Sequence, residues 1–422
     1  MSVACWGWVN HLSTYNTVGG NWNEILTYVQ ARSEFVMLEC SAQFPPVNFE
    51  ITTNGGADFP SPDPLVTLTG NGWIDVRGIR IAGISTPLVV TWLTQSTWQV
   101  QVPVVLGPNH FILAAYDYQG QSVGTDSITI TGTGNVVPAS KDNVVFSEIH
   151  YHPTLAPAGG FTNADDFEFI ELQNISGYIV DLSGCYFDTG LTYTFAGGTR
   201  IQPNARIVLP RRSTAFAFRH PGVATVAEYY ASTGNTLSDG GEGISLVSPS
   251  GQDIQRFTYD DKLPWPTQPD GTGRSLVLIS PFSKPDHNDP LSWRASLSND
   301  GSPGFSEGTP FTGNPTADTD HDGLSDLVEA GIGVDGEIPK LEAINESLVY
   351  FTFDRDAGRQ ITSWVEQSSD LRNVAPTGWA RIVNPTIVSR QAVSGNVERI
   401  TLALVIPVGA PREFYRLCFT AP

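Results

Sequence analysis

Short runs of alternating apolar and polar residues dominate the chain from about residue 46 onward. TWQVQV at 97–102 and DSITIT at 126–131 alternate with a period of two. Comparable runs return at roughly ten-residue spacing, separated by glycine and proline turns. This pattern predicts a mainly β fold, in which several immunoglobulin-like antiparallel β-sandwich modules follow one another in tandem.

One stretch departs from the alternation. Residues 21–40 repeat apolar positions near helical spacing, with Ile25, Leu26 and Val29 on one face and Asn21 as a capping residue. A single amphipathic helix cannot bury its apolar face alone. We therefore expect a short N-terminal helical segment that ends a larger domain.

The changes of pattern predict five segments. In order they are a helical remnant at 1–45, an immunoglobulin-like sandwich at 46–134, a second β region at 142–309, a linker at 310–340 and a C-terminal β-sandwich at 341–422. Within them, residues 299–317 are rich in glycine, proline and threonine, so we expect that stretch to be extended.

The charge balance narrows the class of partner. The chain has 23 basic and 43 acidic residues, a net charge of −20. Such a surface repels nucleic-acid backbones and anionic lipid, and it suits calcium and a salty exterior. No apolar run reaches the length of about 18 residues that a membrane helix needs. We expect other proteins or extracellular glycans as partners, without nucleic-acid binding or membrane insertion.

The cysteines add little. Cys5, Cys40, Cys185 and Cys418 are scattered without a CxxC pair, which provides neither a zinc site nor a dense disulfide framework. Cys5 and Cys40 could pair, but the sequence leaves every connectivity open. The N-terminus lacks a basic region followed by an apolar core, so we expect any export signal to lie elsewhere.

The sequence DTDHDGLSDLVE at 318–329 has the spacing of a calcium-binding loop. Carboxylates occupy positions 1, 3, 5, 9 and 12, and a backbone carbonyl is available at position 7. A hard dication needs about six to eight oxygens at short range, and the glycine at position 6 permits the sharp bend. The predicted Ca²⁺ ligands are Asp318, Asp320, Asp322, Leu324, Asp326 and Glu329.

The flanking residues indicate a single calcium loop, not one half of a pair of EF-hands. Pro310, Gly313 and Pro315 exclude an entering helix, because proline removes a backbone donor and clashes with the preceding turn. Ser325 stands where paired loops carry an apolar residue. The loop resembles the isolated calcium loops of dockerin-like and thrombospondin type 3 repeats. That resemblance implies a structural clamp, which we expect to fix the joint between the flanking modules.

A family resemblance covers nearly the whole second β region. FEFIELQNISGYIVDLSGCYF at 167–187 and the closing GSPG at 301–304 are similar to the lamin-tail domain, an immunoglobulin-like module. The resemblance implies that Glu148, Glu171 and Asn174 serve the fold. It implies no catalytic residue.

A second resemblance concerns the start of the chain. Residues 27–56, TYVQARSEFVMLECSAQFPPVNFEITTNGG, resemble the end of a spore-coat CotH-type kinase-like domain. Large bacterial surface proteins combine that domain with immunoglobulin-like and lamin-tail modules, which implies an extracellular or cell-surface location. The nucleotide-binding and metal-binding residues of such a kinase would lie before Met1.

Two further features suggest other functions. His150 and His152 alternate on one predicted strand and would face the same side, near the acidic run at 165–168, as in a metal-dependent hydrolase. Trp265 lies between two prolines in the loop KLPWPTQPDG at 262–271, where it would be displayed for contact with a glycan or another partner.

These features favour a non-catalytic extracellular adhesion or scaffold segment, whose β-sandwich modules are stiffened by calcium, over an enzyme. The alternatives are a carbohydrate-binding accessory region of a larger secreted enzyme, and a metal-dependent hydrolase or kinase-like remnant.

Overall fold

The computed structural model describes most of the chain. The described residues are 27–32, 35, 45–156, 159–232, 234–333, 336–345, 347–369, 378–383, 385–406 and 413–421. Within them, β-strands far outnumber helices, and residues 27–32 are helical. The predicted fold class, mainly β with antiparallel immunoglobulin-like sandwiches and a short N-terminal helix, is confirmed.

Eight strands between residues 50 and 132 form two four-stranded sheets, in the orders β1-β3-β6-β5 and β2-β8-β7-β4. They are β1 (Glu50–Ile51), β2 (Phe59–Ser61), β3 (Leu65–Asn71), β4 (Gly78–Ile81), β5 (Thr91–Trp92), β6 (Thr97–Pro103), β7 (Gly107–Tyr116) and β8 (Ser122–Gly132). The alternation in β6 buries Trp98, which stacks on Phe49 at 5.3 Å between ring centroids. The indole Nε1 of Trp98 donates to the Asn71 carbonyl at 2.8 Å.

The described residues between 136 and 309, which we call the lamin-tail-like region, contain eleven strands in three sheets, in the orders β15-β11-β10-β18-β19, β14-β12-β9 and β13-β16-β17. They are β9 (Val136–Pro138), β10 (Val144–His150), β11 (Phe169–Asn174), β12 (Ile179–Asp181), β13 (Tyr186–Thr189), β14 (Arg200–Ile201), β15 (Arg206–Pro210), β16 (Glu242–Val247), β17 (Asp253–Tyr259), β18 (Leu276–Leu278) and β19 (Trp293–Ala295). The pairing of β9 with β12 is parallel, and the other pairings described in these sheets are antiparallel.

Among the residues described from 340 onward, seven strands form the sheets β20-β21-β25-β24 and β23-β22-β26. They are β20 (Lys340–Asn345), β21 (Leu348–Asp356), β22 (Thr362–Ser368), β23 (Ala380–Arg381), β24 (Thr386–Ser394), β25 (Val397–Val405) and β26 (Phe414–Thr420). We call these two sheets the C-terminal sandwich. Its core includes Phe353, Ile400 and Leu402, which are at most 1% exposed.

Short helices connect some of these strands. Helix α1 spans Ser213–Arg219 and helix α2 spans Asp326–Ile332. Single 3-10 turns cover Ala164–Phe167, Pro281–Ser283 and Pro290–Ser292, and Thr53–Gly56 forms a turn in which Asn54 and Gly55 have positive φ. None of the helices in the described residues is long and apolar enough to cross a bilayer.

The described residues divide into two compact units. The first contains the described residues up to Phe59 together with Thr67–Gln101 and His110–Ile130, and the second contains Pro60–Val66, Val102–Asn109 and everything described from Thr131 onward. The lamin-tail-like region and the C-terminal sandwich therefore belong to one unit. The five segment boundaries predicted from the sequence stay predictions.

The lamin-tail-like region and the C-terminal sandwich are joined by direct contacts. Leu291, from the 3-10 turn between β18 and β19, is buried in the core of the C-terminal sandwich. The Arg355 guanidinium donates to the carbonyls of Leu291 and Trp293, and Arg390 donates to the Trp293 carbonyl at 2.5 Å. Glu398 accepts from both arginines at 2.7 Å, which holds the two guanidinium groups in place.

Two of the four cysteines, Cys185 and Cys418, belong to the described residues. Cys5 and Cys40 lie outside the described residues. Cys185 is buried and Cys418 is partly exposed, and neither forms a disulfide.

Candidate functional site

The predicted calcium loop folds tightly on its own carboxylates. The Asp322 N–H donates to Asp320 Oδ1 at 3.2 Å, and the Leu324 N–H donates to Asp322 Oδ1 at 2.8 Å. Gly323, at φ +98°, turns the chain back so that its N–H reaches Asp318 Oδ2 at 3.1 Å. A side chain is strained at this positive φ, so the glycine is required for the bend.

Three of the predicted ligands converge. One carboxylate oxygen from each of Asp318, Asp320 and Asp322 lies within 4.8 Å of the others. The Oδ1 oxygen of Asp318 is buried and has no hydrogen-bond partner. A buried oxygen without a donor is costly, and a cation would satisfy it. The donor set consists of hard oxygens, so these residues fit a calcium ion.

Asp326 is placed differently from the prediction. Its carboxylate accepts from the Thr319 N–H at 2.9 Å and from the Thr319 hydroxyl at 2.8 Å, and these bonds lower its pKa. It therefore closes the loop from outside the three-aspartate cluster. Position 9 of such loops often reaches calcium through a water molecule, and this placement suits that role better than direct ligation.

The last predicted carboxylate lies on the first turn of α2. Partial burial, followed by the charges of Asp320 and Asp322, raises the pKa of Glu329. Asp326 and Asp318 act on Glu329 in the same direction, so the carboxylates of the loop repel one another. Leu324 is held in the same turn by its own N–H bond to Asp322.

Both ends of the loop segment are attached to the C-terminal sandwich. Before the loop, the Thr309 N–H donates to the Gly358 carbonyl at 2.9 Å, and the Gln360 N–H donates to the Thr309 carbonyl at 3.0 Å. After the loop, Leu327 and Ile332 of α2 are buried. If calcium orders the loop, the backbone between residues 310 and 326 is therefore the part that should become less mobile.

The display of Trp265 predicted from its two proline neighbours is wrong. Trp265 is only 5% exposed and belongs to the core of the lamin-tail-like region, where its ring lies 6.1 Å from that of Trp293. The loop turns the indole inward because the sandwich core offers a large apolar surface at this point, so the ring is not available to a ligand.

The two histidines do not share a site. His150 ends β10 fully buried, with its ring 5.4 Å from that of Phe169, and burial lowers its pKa to about 3. His152 lies beyond the strand and contacts Asp270 at 2.7 Å and Asp239 at 3.7 Å. The two rings therefore have different surroundings, and in the described residues they form no metal-ligating group with the acidic run.

The acidic run near those histidines serves the fold. Asp166 pairs with Arg211. Glu168 is fully buried and accepts from the Tyr229 hydroxyl at 2.6 Å and from the Leu237 N–H at 3.0 Å. Burial raises the pKa of Glu168 to about 8.

A buried carboxyl pair is a feature whose chemistry the sequence did not reveal. Glu148 on β10 and Glu171 on β11 are directly opposite each other, and both are 1% exposed. They hold the segment at 301–304: the Ser302 N–H donates to Glu148 at 2.8 Å, and the Gly304 N–H donates to Glu171. The implication that these glutamates serve the fold agrees with these contacts. In the sequence, the sign of a buried carboxyl pair was that each of the apolar runs VVFSEIH and FIELQN contains a glutamate.

Burial raises the pKa of both carboxyls in this pair. For Glu148 the next cause is the charge of Glu171, and it acts in the same direction. For Glu171 burial is opposed by the hydroxyl of Ser147 and by Arg206, which lies 3.1 Å away. Gly301 passes directly over the pair, since a Cβ there would lie 2.4 Å from Glu148 Oε1.

Comparison with known proteins identifies one segment. Residues 137–261 match the family model of the Lamin Tail Domain. The resemblance predicted from the sequence is confirmed for that segment, while the CotH-type architecture and the dockerin-like nature of the calcium loop stay predictions. No curated protein matches the chain.

Three solved structures show weak similarity. A Bacteroides ovatus mixed-linkage glucan utilization protein, SGBP-B, in complex with a mixed-linkage heptasaccharide is 13% identical over 47% of this chain, which spans 39% of that protein, at a TM-score of 0.14. An ICAM-5 D1–D4 ectodomain fragment is 9% identical to this chain. The match covers 89% of this chain and 76% of that fragment, at a TM-score of 0.15. The BSP domain of a biofilm-associated protein is 11% identical to this chain. The match covers 89% of this chain and 81% of that domain, at a TM-score of 0.11. Scores this low do not denote a common overall fold.

Proposed function

We propose that this chain is a non-catalytic extracellular or cell-surface scaffold and adhesion segment, and that one calcium ion orders the stretch between its last two β modules. The ion would be held by Asp318, Asp320, Asp322 and Glu329, with the Leu324 carbonyl as a further ligand. Asp326 would support the site through Thr319. The ion supplies positive charge that cancels the mutual repulsion of these carboxylates.

The orphaned Oδ1 of Asp318 carries this proposal. In the described residues, its two neighbours in the cluster use one oxygen each on backbone N–H groups, while this buried atom has no donor. A net charge of −20 makes a cation the favoured ligand at such a point. In an acidic turn that is simply exposed to solvent, carboxylate oxygens bind water and are not buried without a partner.

The role expected for calcium is local stiffening. The contacts of Arg355 and Arg390 already join the lamin-tail-like region to the C-terminal sandwich, so the joint does not depend on the ion. The loop segment, by contrast, leaves the sandwich near Thr309 and returns at Leu327. We therefore expect calcium to order residues 310–326, and not to fix the joint between the two modules as the sequence suggested.

Support for a non-catalytic role comes from the use made of the buried titratable groups. Glu148 and Glu171 bind backbone N–H groups, and Glu168 binds Tyr229. Their hydrogen bonds are to structural partners on neighbouring strands and loops. Groups used in this way are committed to the fold, since removing them would leave buried donors unpaired.

Calcium titration of the full chain tests the proposal. By calorimetry we expect one saturable site with a Kd on the order of 10⁻⁴ M, as in other extracellular modules. Glu329→Gln should weaken it by at least about tenfold, because position 12 supplies the bidentate ligand. EGTA should accelerate protease cleavage between residues 310 and 326 and leave the sandwiches intact.

The matched control is Glu342→Gln, which removes the same charge from an exposed position on β20. It should bind calcium like the unaltered chain. The proposal is wrong if millimolar calcium produces no saturable heat, or if Glu329→Gln and Glu342→Gln bind equally well.

A further inference from the structure

A cleft of about 390 Å³ lies between the lamin-tail-like region and the C-terminal sandwich. One wall is the turn that contains Lys284, Asp286 and Asp289, and the other contains Trp364 and Arg381. Its volume falls within the range of about 300–1,000 Å³ that is usual for small-molecule sites, and such sites favour the junctions of modules.

The two walls are tied together across the cleft. The Ser283 hydroxyl lies 3.1 Å from the Thr362 hydroxyl, and Arg381 lies 3.8 Å from the carboxylate of Asp289. The arginine contacts behind Leu291 hold the same two modules. A cleft fixed in this way loses little entropy when it takes up a ligand.

The cleft combines an aromatic ring with hydrogen-bonding groups. Trp364 is partly exposed at the wall, with Arg381 lying 5.4 Å from its ring centroid and its Nε1 bonded to Glu366. The Ser363 hydroxyl also lines the cleft, is buried and has no hydrogen-bond partner. A buried hydroxyl without a partner at a cleft wall is satisfied when a polar ligand binds there.

The charges of the cleft cancel. Lys284 and Arg381 supply two positive charges, and Asp286 and Asp289 supply two negative ones. The cleft is therefore locally neutral, although the chain carries a net charge of −20. It favours neither an anion nor a cation, while it offers both donors and acceptors to a neutral polar molecule.

From these observations we propose that the cleft binds one or two neutral sugar rings of a glycan. The C–H face of a sugar packs on the indole, and its hydroxyls, which both donate and accept, match the guanidinium, the carboxylates and the Ser363 hydroxyl. This site is separate from Trp265 and does not involve the calcium loop, so it goes beyond the proposed scaffold role.

Affinity electrophoresis of the full chain in gels that contain a polysaccharide tests this. The panel holds neutral polymers (mixed-linkage glucan, xylan, mannan, galactan) and acidic ones (alginate, polygalacturonate). We expect at least one neutral polymer to retard the chain. Val383→Glu should weaken that retardation by at least about tenfold in apparent Kd, since it adds a charge to the cleft wall. Val383 is 73% exposed, so the substitution should leave the fold unchanged.

Val405→Glu is the matched control, because Val405 is 70% exposed and lies outside the cleft lining. It should migrate like the unaltered chain. Trp364→Phe should keep most of the affinity and Trp364→Ala should lose it. The proposal is overturned if no neutral polymer retards the chain, if only acidic polymers or added peptides bind, or if Val383→Glu and Val405→Glu behave alike.

Discussion

Glu398→Ala is expected to lower the free energy of unfolding of the C-terminal sandwich by about 3–5 kcal/mol, the cost of leaving buried charges without their partner. Arg355 and Arg390 each have side chains 4% exposed, and both donate to the Glu398 carboxylate at 2.7 Å. Burial alone would raise the pKa of Glu398, but the charges of Arg355 and Arg390 lower it to about 2.

The same substitution should loosen the joint to the lamin-tail-like region. The two guanidinium groups that Glu398 holds in place also bond to the carbonyls of Leu291, Trp293 and Pro290. Without the carboxylate, the arginines repel each other and gain from turning toward water. We expect faster hydrogen exchange in peptides from β19, β21 and β25. We also expect the C-terminal sandwich to unfold at a lower midpoint concentration of urea.

Asp188→Ala is the control, because Asp188 pairs with Arg256 at 3.1 Å at the surface, where both side chains are about half exposed. Exposed pairs contribute roughly 0–1 kcal/mol, so this variant should unfold nearly like the unaltered chain. A loss in Glu398→Ala no larger than in Asp188→Ala would show that water or another acceptor replaces the carboxylate.

The dependence of this effect on pH has a definite sign. The folded pKa of Glu398 lies below its ordinary value of 4.5, so its stabilising contribution is complete above that value. The contribution is lost as pH falls from 4.5 toward about 2. The difference in stability between the unaltered chain and Glu398→Ala should therefore shrink in acid, which urea titrations at pH 3 and pH 7 can compare.

Local pattern was enough to predict the elements of this fold. The period-two alternation of β6 places Trp98 inside, and the glycine at position 6 of the loop gives the positive φ that turns Gly323 back on Asp318. These features are decided by neighbours in sequence. The structure accordingly brings together Asp318, Asp320 and Asp322 as the spacing predicted.

Features that depend on distant partners could not be predicted in this way. Pro264 and Pro266 suggested a displayed Trp265, but the inward turn of the ring depends on Trp293, about thirty residues further on. Likewise, Asp326 has the spacing of a ligand and yet bonds to Thr319. The joint made by Arg355 and Arg390 joins residues some 60 to 100 positions apart, and no local pattern encodes it.

The buried pair of Glu148 and Glu171 should make the second unit less stable as pH rises through neutrality. Both folded pKa values are raised above 4.5, so at pH 6.5 the folded state retains protons that the unfolded chain has lost. By linkage, stability then falls with pH, at a slope of up to about 1.4 kcal/mol per pH unit for each proton retained. Glu168, whose pKa is about 8, acts with the same sign.

Buried histidines fix the window in which this slope can be measured. Burial lowers the pKa of His150 to about 3, and those of His220 and His287 to about 4, from an ordinary 6.5. These three groups therefore add stability as pH rises toward 6.5, which opposes the carboxyls. The histidine contribution levels off above pH 6.5 and is the same in every variant compared, so differences in slope between pH 6.5 and 8 report on the carboxyls.

Glu148→Gln replaces one of these carboxyls with a neutral group of the same size, which can still accept from the Ser302 N–H. Urea titrations at pH 6.5 and 8 should show a smaller loss of stability in this variant than in the unaltered chain, because Glu171 no longer has a charged neighbour. Hydrogen exchange at residues 302–304 should follow the same trend, since both glutamates hold that segment. Glu342→Gln, on exposed β20, should keep the full slope. Equal slopes in all three proteins would show that Glu148 is already ionised in the folded state at pH 6.5 and that Arg206 and the surrounding hydroxyls compensate for the repulsion.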